Sequence, residues 1–445
     1  MAFFLYLAFV ALAYLRPVEA FAPELGGYRP MVILGVVALY ATVIHALGAG
    51  TTAVRNLHFV LMLALLACIA MSKIANGWAG GAAVALSDFS TSALLFLTTV
   101  LNVTSLPRLR VTLATIVLSM LIVSVAGFAA YHKGFMADLL VLRQQIGEEG
   151  DGQPADALDV PAHDTSGQFL WRVRYLGFLN DPNDFAQVIV VALPMLGIWY
   201  RQRRFFSNIV LLGVPGSVFL YTIFLTHSRG AVLGLASLLF FGTRKILGVV
   251  KTGILVGVLL GAVVVTNVAG GRGFSAQEES AGDRILAWSE GLTMLRHQPL
   301  FGVGYNSFTD HHDRTAHNSF VLGFAELGLI GYFIWLALIV TAFRDVNQVA
   351  NLPGEGAEVV SRPYAAMLRS SLLGFLTCAY FLSRTYAPPL FLLLALCVAI
   401  WRCAGDEMRN TKLLPAQRWV LATASLLVGS LALVYVMVLV KHSTG

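Results

Sequence analysis

AHNSFVLGFAELGLIGYFIWLALIVTAF, residues 316–343, is nearly all apolar from Ser319 onward, with one carboxylate, Glu326, inside the run and His317 at its mouth. A run of about 20 apolar residues is what a helix needs to cross a bilayer, so this stretch reads as a membrane helix. A carboxylate in hydrocarbon costs roughly 2.5–3.5 kcal/mol on insertion scales, so Glu326 needs a partner. His317 is not that partner in a regular helix. Nine residues of 100° each put the two on opposite faces, about 13 Å apart along the axis. Glu326 is therefore expected to be structural and to lock onto another helix, with Gly323, Gly328 and Gly331 permitting close approach.

The rest of the chain repeats the pattern. Of 445 residues, 57% are hydrophobic and only 12% charged, where soluble domains carry roughly 25% charged. The mean hydropathy is +0.75. These values indicate an all-α polytopic membrane protein, and the formal charge of +6 is no nucleic-acid signal. Candidate spans fall at residues 2–15, 31–48, 57–72, 87–103, 111–131, 184–200, 207–226, 230–243, 246–268, 318–341, 367–382, 386–401 and 418–440, or about 12–13 transmembrane helices. The first, MAFFLYLAFVALAYLRP, contains Ala11-Leu12-Ala13 but has no basic residue before its apolar run, so it reads as a membrane helix rather than a signal peptide.

Two long polar segments interrupt the spans, dividing the chain into N-terminal helices 1–131, a loop 132–183, central helices 184–268, a second loop 269–317 and C-terminal helices 318–445. Four spans separate the loops, so both lie on one side. The short connections on the other side hold sixteen Lys and Arg, against six (Arg16, Arg29, Lys73, Arg229, Arg384 and Lys441) on the loop side. By the positive-inside rule both loops are expected outside the cytoplasm. Thirteen spans would put Lys441 on that same outer side. Cys68, Cys378, Cys397 and Cys403 lie in or beside apolar segments and form no disulfide framework or CxxC site. No Walker A or GxGxxG motif is present, which argues against nucleotide energy on the cytoplasmic side.

Four stretches bear chemistry. In WRVRYLGFLNDPNDFAQ, residues 171–187, Asp181 can cap a helix begun by Pro182, and Asp184 suits its dipole. Arg172 and Arg174 project to one side if the segment is extended, either as headgroup anchors or as a phosphate-binding pair. In THSRGAVLGL, residues 226–235, Arg229 must lie near the outer membrane boundary, as a snorkelling cation or an anion clamp. In SAGDRILAWSEGLTMLRHQPLFGVGYNSF, residues 280–308, Ile285, Trp288, Leu292 and Leu295 mark an amphipathic helix expected on the membrane surface. Asp283 is expected to cap it. Arg284 then falls in the first turn, against the helix dipole, which makes it a site candidate. Gly302 and Gly304 allow a tight turn toward the next helix. In DHHDRTAHNS, residues 310–319, the spacing of His311, His312, Asp313 and His317 fits no standard zinc pattern. His317 is either helix punctuation or a group able to accept a proton near neutral pH.

Taken together, His317-Asn318 with Glu326-Leu327-Gly328 and Gly331, Pro299-Leu300-Phe301-Gly302-Val303-Gly304, Ser228-Arg229-Gly230 and Asp181-Pro182-Asn183 resemble the O-antigen ligase and polymerase family of bacterial membrane glycosyltransferases, over roughly residues 170–340. The resemblance implies a GT-C-like architecture and an undecaprenyl-pyrophosphate-linked glycan as donor. It implies transfer to an acceptor hydroxyl (lipid A–core or a growing glycan) on the periplasmic face of the inner membrane, with inversion and without metal or other cofactor. Carried onto this chain, Arg229 and Arg284 would hold the departing pyrophosphate and His317 would activate or orient the acceptor. Arg172, Arg174 and Asn318 would bind substrate, and Glu326, Gly302 and Gly304 would be structural. The membrane lipids are partners and nucleic acid is not. Family members often end in the cytoplasm, whereas thirteen spans place Lys441 outside. Other readings are a repeat-unit polymerase of the same family, a protein-glycosylating transferase, or a flippase, which would place ionisable residues at mid-membrane on broken helices.

Overall fold

A computed structural model describes residues 1–48, 57–145, 152–155, 161, 164, 168–265, 279–353, 359–408 and 418–444. Its longer helices, numbered here in chain order, are α1 (Ala2–Leu15), α2 (Pro30–Gly48), α3 (Leu57–Ala75), α4 (Ala79–Asn102), α5 (Leu106–Lys133), α6 (Pro182–Met195), α7 (Val214–Thr226), α8 (Arg229–Leu247), α9 (Val249–Val265), α10 (Glu279–His297), α11 (Ser319–Ala350), α12 (Ser361–Ala379), α13 (Pro388–Cys403) and α14 (Arg418–Thr444). The protein is an all-α polytopic membrane protein. Eight of its described helices are long and apolar enough to cross a bilayer, and four shorter apolar helices join them. α12, interrupted by Arg362 and Arg369, completes the bundle. The segment 87–103, rich in Ser and Thr, is part of a full helix, α4.

Apolar all round, α13 is the innermost helix, buried from Pro389 to Ile400, as such a pattern requires. It packs on α4 and α11, and α11 packs on α3, α12 and α14. On α9 and α14 the large apolar residues, such as Val258, Leu421 and Val436, point outward, the pattern of lipid-facing helices. α10 is not a membrane-surface helix in the expected sense. Its Trp288 is buried, Ile285, Leu292 and Leu295 pack on the core, and the helix lies against α11 and α14. Its apolar stripe is thus covered by protein. Tyr380 Oη donates to Met437 Sδ at 3.2 Å, and Gly282 of α10 lies beside the Lys441 ammonium. The end of α14 therefore shares the face of the two long loops, where a thirteen-span count puts it.

The first long loop contains a small antiparallel sheet, absent from the helical expectation: β1 (Val141–Gln145) lies between β2 (Gln153–Pro154) and β3 (Phe169–Val173). Leu142 pairs with Arg172 and Gln145 with Phe169, so the arginine stretch is extended. Parts of the loop regions, residues 146–151 and 266–278 among them, lie outside the described residues, as do Arg55, Arg409 and Lys412 of the basic connections.

α11 is not a regular helix. At Gly328 the backbone has φ 64 and ψ −171, a region essentially reserved for glycine. The break is filled by the chain that follows α10. Leu329 N donates to Pro299 O at 2.8 Å, Val303 N to Ala325 O at 2.9 Å, and Gly304 N to Glu326 O at 3.1 Å. Irregular backbone in a membrane bundle is tolerated only where protein or a wet cavity satisfies it, and here residues 299–304 do so. Gly302 and Gly304, at φ 67 and 111, are therefore not a turn toward α11 but a strip docked along it. A side chain at Gly302 or Gly328 would run into the opposing backbone.

Candidate active site

Glu326 hydrogen-bonds to a loop rather than to the neighbouring helix its sequence setting suggests, and Lys73 of α3 attracts it electrostatically. Its Oε2 accepts from Asn306 N and its Oε1 from Phe308 N, both at 3.0 Å. Two loop N–H groups, rather than a helix, meet the buried carboxylate because the break at Gly328 admits the loop. The same segment is clamped by the end of α3. Lys73 Nζ donates to Ser307 Oγ at 2.9 Å, Tyr305 N to Ser72 Oγ at 2.9 Å, and Asn76 Nδ2 to Gly302 O at 2.8 Å. Burial, reinforced by the Glu326 carboxylate, pushes the Tyr305 and Tyr386 hydroxyls above the usual phenol range, so both stay protonated. The loop that delivers His317 is thereby anchored to α3 and α11.

His317 does not cap α11. The cap is Asn318, whose Oδ1 accepts from Phe320 N at 2.9 Å and Val321 N at 3.2 Å. His317 stands one residue earlier, in the left-handed region at φ 46, a conformation uncommon for a residue with a side chain. Immediately before it, Ala316 O accepts from Trp288 Nε1 of α10 at 2.9 Å. Arg284 lies one turn before Trp288, on the same face, so it shares the His317 side of α10. The helix begins no later than Glu279. Arg284 thus sits beyond the first turn, and the dipole conflict expected of it disappears. Nor does Asp283 cap: it pairs with Arg314 at 2.9 Å.

The connection between α12 and α13, residues 380–387, ties the remaining groups together. Ser319 Oγ donates to Leu382 O at 2.6 Å and accepts from Arg384 N at 2.7 Å, while Thr385 Oγ1 donates to Ser319 O at 2.7 Å. Thr315 Oγ1 reaches Ser383 Oγ at 2.8 Å. The Arg384 guanidinium pairs with Asp184 in the first turn of α6. On the far side, Phe381 lies against Gly230, next to Arg229, the first residue of α8, whose cap is Ser228. The chain segments that carry His317, Asn318 and Arg229 thereby touch the short loop that carries Arg384. The chain path starts α6, α8, α11 and α13 from this same face. Their N-termini present the positive ends of four helix dipoles, the polarity that favours an anion.

Asp181 caps α6 as its sequence suggests, its Oδ1 accepting from Asn183 N at 2.7 Å. Arg172 and Arg174 do not form an exposed cationic patch. Buried Arg172 donates Nε to Thr226 O and Nη2 to Asn183 Oδ1, each at 3.0 Å, fastening α7 to α6. Arg174 Nε donates to Leu139 O at 3.1 Å, and burial lowers its pKa. His312 turns back on its own segment, with Nδ1 at 2.9 Å from Arg314 O. A separate cavity of about 260 Å³ is lined by Arg16, Glu19, Arg29 and Asp88, and none of Arg229, Arg284 or His317 borders it. Arg384 enters the sequence reading only as one of six loop-side cations. The logic that singles out Arg229, a lone arginine in a short link between apolar helices, applies to it equally.

Residues 216–336 match the family model for O-antigen ligase. The chain carries an O-antigen ligase family domain. The match starts inside α7 and ends inside α11, past the break, so it contains Arg229, Arg284, His317 and Glu326. Arg172, Arg174 and the Asp181-Pro182-Asn183 turn precede the ligase-family domain, and Arg384 follows it. No curated protein matches the sequence.

Proposed function

We propose that this membrane protein transfers a glycan from an undecaprenyl-pyrophosphate-linked donor to an acceptor hydroxyl on the periplasmic face of the inner membrane. One observation supports the reading: the neighbours of Arg229 and of His317, both inside the ligase-family match, pack on the same 380–387 loop where four helices begin. In the reaction the acceptor oxygen forms a bond to the anomeric carbon of the donor sugar. The bond from that carbon to the pyrophosphate oxygen breaks with inversion, and His317 takes the hydroxyl proton. The pyrophosphate leaves with its bonding pair, and Arg229 and Arg284 compensate its charge, so no metal or nucleotide is needed. The acceptor is lipid A–core, with a growing glycan as the polymerase alternative. The broken helix α11 fits a transporter on general grounds, but its gap is filled by residues 299–304 and its carboxylate is spent on backbone donors, which favours an enzyme.

The test is transfer from a lipid-linked glycan by purified protein, comparing wild type with Arg229→Lys and Arg284→Lys. A lysine keeps the charge and loses the bidentate fork, so both variants should be impaired. Near-normal transfer by both at matched protein levels would remove the clamp from the mechanism.

A further inference from the structure

Arg384 is held in an unusual way. Its backbone is pinned on both sides: its own N–H donates to Ser319 Oγ, and Thr385 O accepts from Trp335 Nε1 at 2.9 Å. Its guanidinium pairs with Asp184. Among the described residues, Arg384 Nε, Asp184 Oδ1 and the amide nitrogen of fully buried Asn318 are all buried without a hydrogen-bond partner. An arginine carries five N–H donors in a fork shaped for bidentate contact. An ion pair with a buried carboxylate and unfilled donors and acceptors is a poor source of stability. The pair does sit where α6, α8, α11 and α13 all begin, and the third unfilled group, the Asn318 amide, belongs to the residue after His317. Burial lowers the Arg384 pKa to about 10, against the attraction of Asp181, which leaves it a cation at neutral pH.

We propose that Arg384 is a further substrate-binding residue, the third guanidinium on the donor pyrophosphate, held in waiting by Asp184. This rests on the function proposed above. A pyrophosphate offers more negative charge and more acceptor oxygens than one carboxylate, so it displaces Asp184 from the fork when the donor lipid binds. Asp184 is then a positioning residue that keeps the empty site neutral. A purely structural ion pair predicts that loss of either partner has the same effect. A binding role predicts opposite effects, because Asp184 competes with the ligand.

The experiment measures binding of undecaprenyl pyrophosphate and undecaprenyl monophosphate to the detergent-purified full chain, with thermal unfolding in parallel. Arg384→Gln should raise the Kd for the pyrophosphate at least tenfold and affect the monophosphate less. Arg384→Lys should fall between, and supplies the answer if the glutamine variant does not fold. Asp184→Asn should hold the pyrophosphate as tightly as wild type or several-fold more tightly, even if it unfolds at a lower temperature. Unchanged Kd in the folded Arg384 variants, or matched weakening in the Arg384 and Asp184 variants, would overturn the proposal and leave the donor assignment standing. Failure of wild type to prefer pyrophosphate over monophosphate would overturn both.

Discussion

At the scale of single residues, His317 and Asn318 divide two tasks that the sequence leaves merged. Asn318 caps α11, so the cap does not depend on His317, which stands one residue earlier in the left-handed region. His317→Ala should therefore insert and unfold like wild type, and lose transfer by roughly 100-fold or more, the scale of a lost general base. Asn318→Ala removes the cap and should cost about 1 kcal/mol in stability. Thermal unfolding and transfer assays on both purified variants decide the matter. An unstable His317→Ala protein whose folded fraction is fully active would move the base elsewhere. Arg284 illustrates the limits of a local rule. Its apparent conflict with the helix dipole depends on where α10 starts, and the helix begins upstream of Asp283.

At the scale of elements, the broken helix α11 and the 299–308 strip form one device. The break at Gly328 exposes backbone groups, the strip satisfies them, and Glu326 fastens the strip by accepting from Asn306 and Phe308. Glu326→Ala strands two N–H donors, at roughly 1–3 kcal/mol each. Gly328→Ala forces a side chain into a conformation that costs on the order of 1–3 kcal/mol, with the Leu300 backbone in its way. Both variants should give less folded protein and a lower unfolding temperature, measured by size-exclusion yield and thermal denaturation. Wild-type stability in Gly328→Ala would mean that the strip does not need the break. The mid-helix glycines and the lone acid are legible in the sequence as sites of close approach. What approaches them is not, because nothing in a helical period distinguishes a neighbouring helix from a docked loop.

At the scale of the whole molecule, the shared face of the two long loops has a consequence for orientation. Both long loops, α10 and the end of α14 share one face, and the basic connections lie on the other, which predicts a periplasmic loop face. Single cysteines at Gln168, Thr309 and Lys441, all exposed, should react with an impermeant thiol reagent in whole cells, and one at exposed Arg203 should not. The native background should be low, since Cys68, Cys378 and Cys397 are buried. Protection of the first three until lysis would reverse the orientation.

The membrane class, most of the spans, the shared side of the two loops and the Asp181 cap are determined by the sequence alone. Each depends on a local quantity: hydrocarbon demands a run of about 20 apolar residues, and a helix start demands particular side chains within a few positions. The partner of Glu326, the cover over the apolar stripe of α10, the hydrogen-bond partners of Arg172 and the place of Arg384 at the start of α11 were decided only by the tertiary structure. These are contacts between distant segments, such as Lys73 with Ser307 across 234 residues. Hydrophobic periodicity states which face of an element must be covered, and it carries no information about which distant segment will cover it.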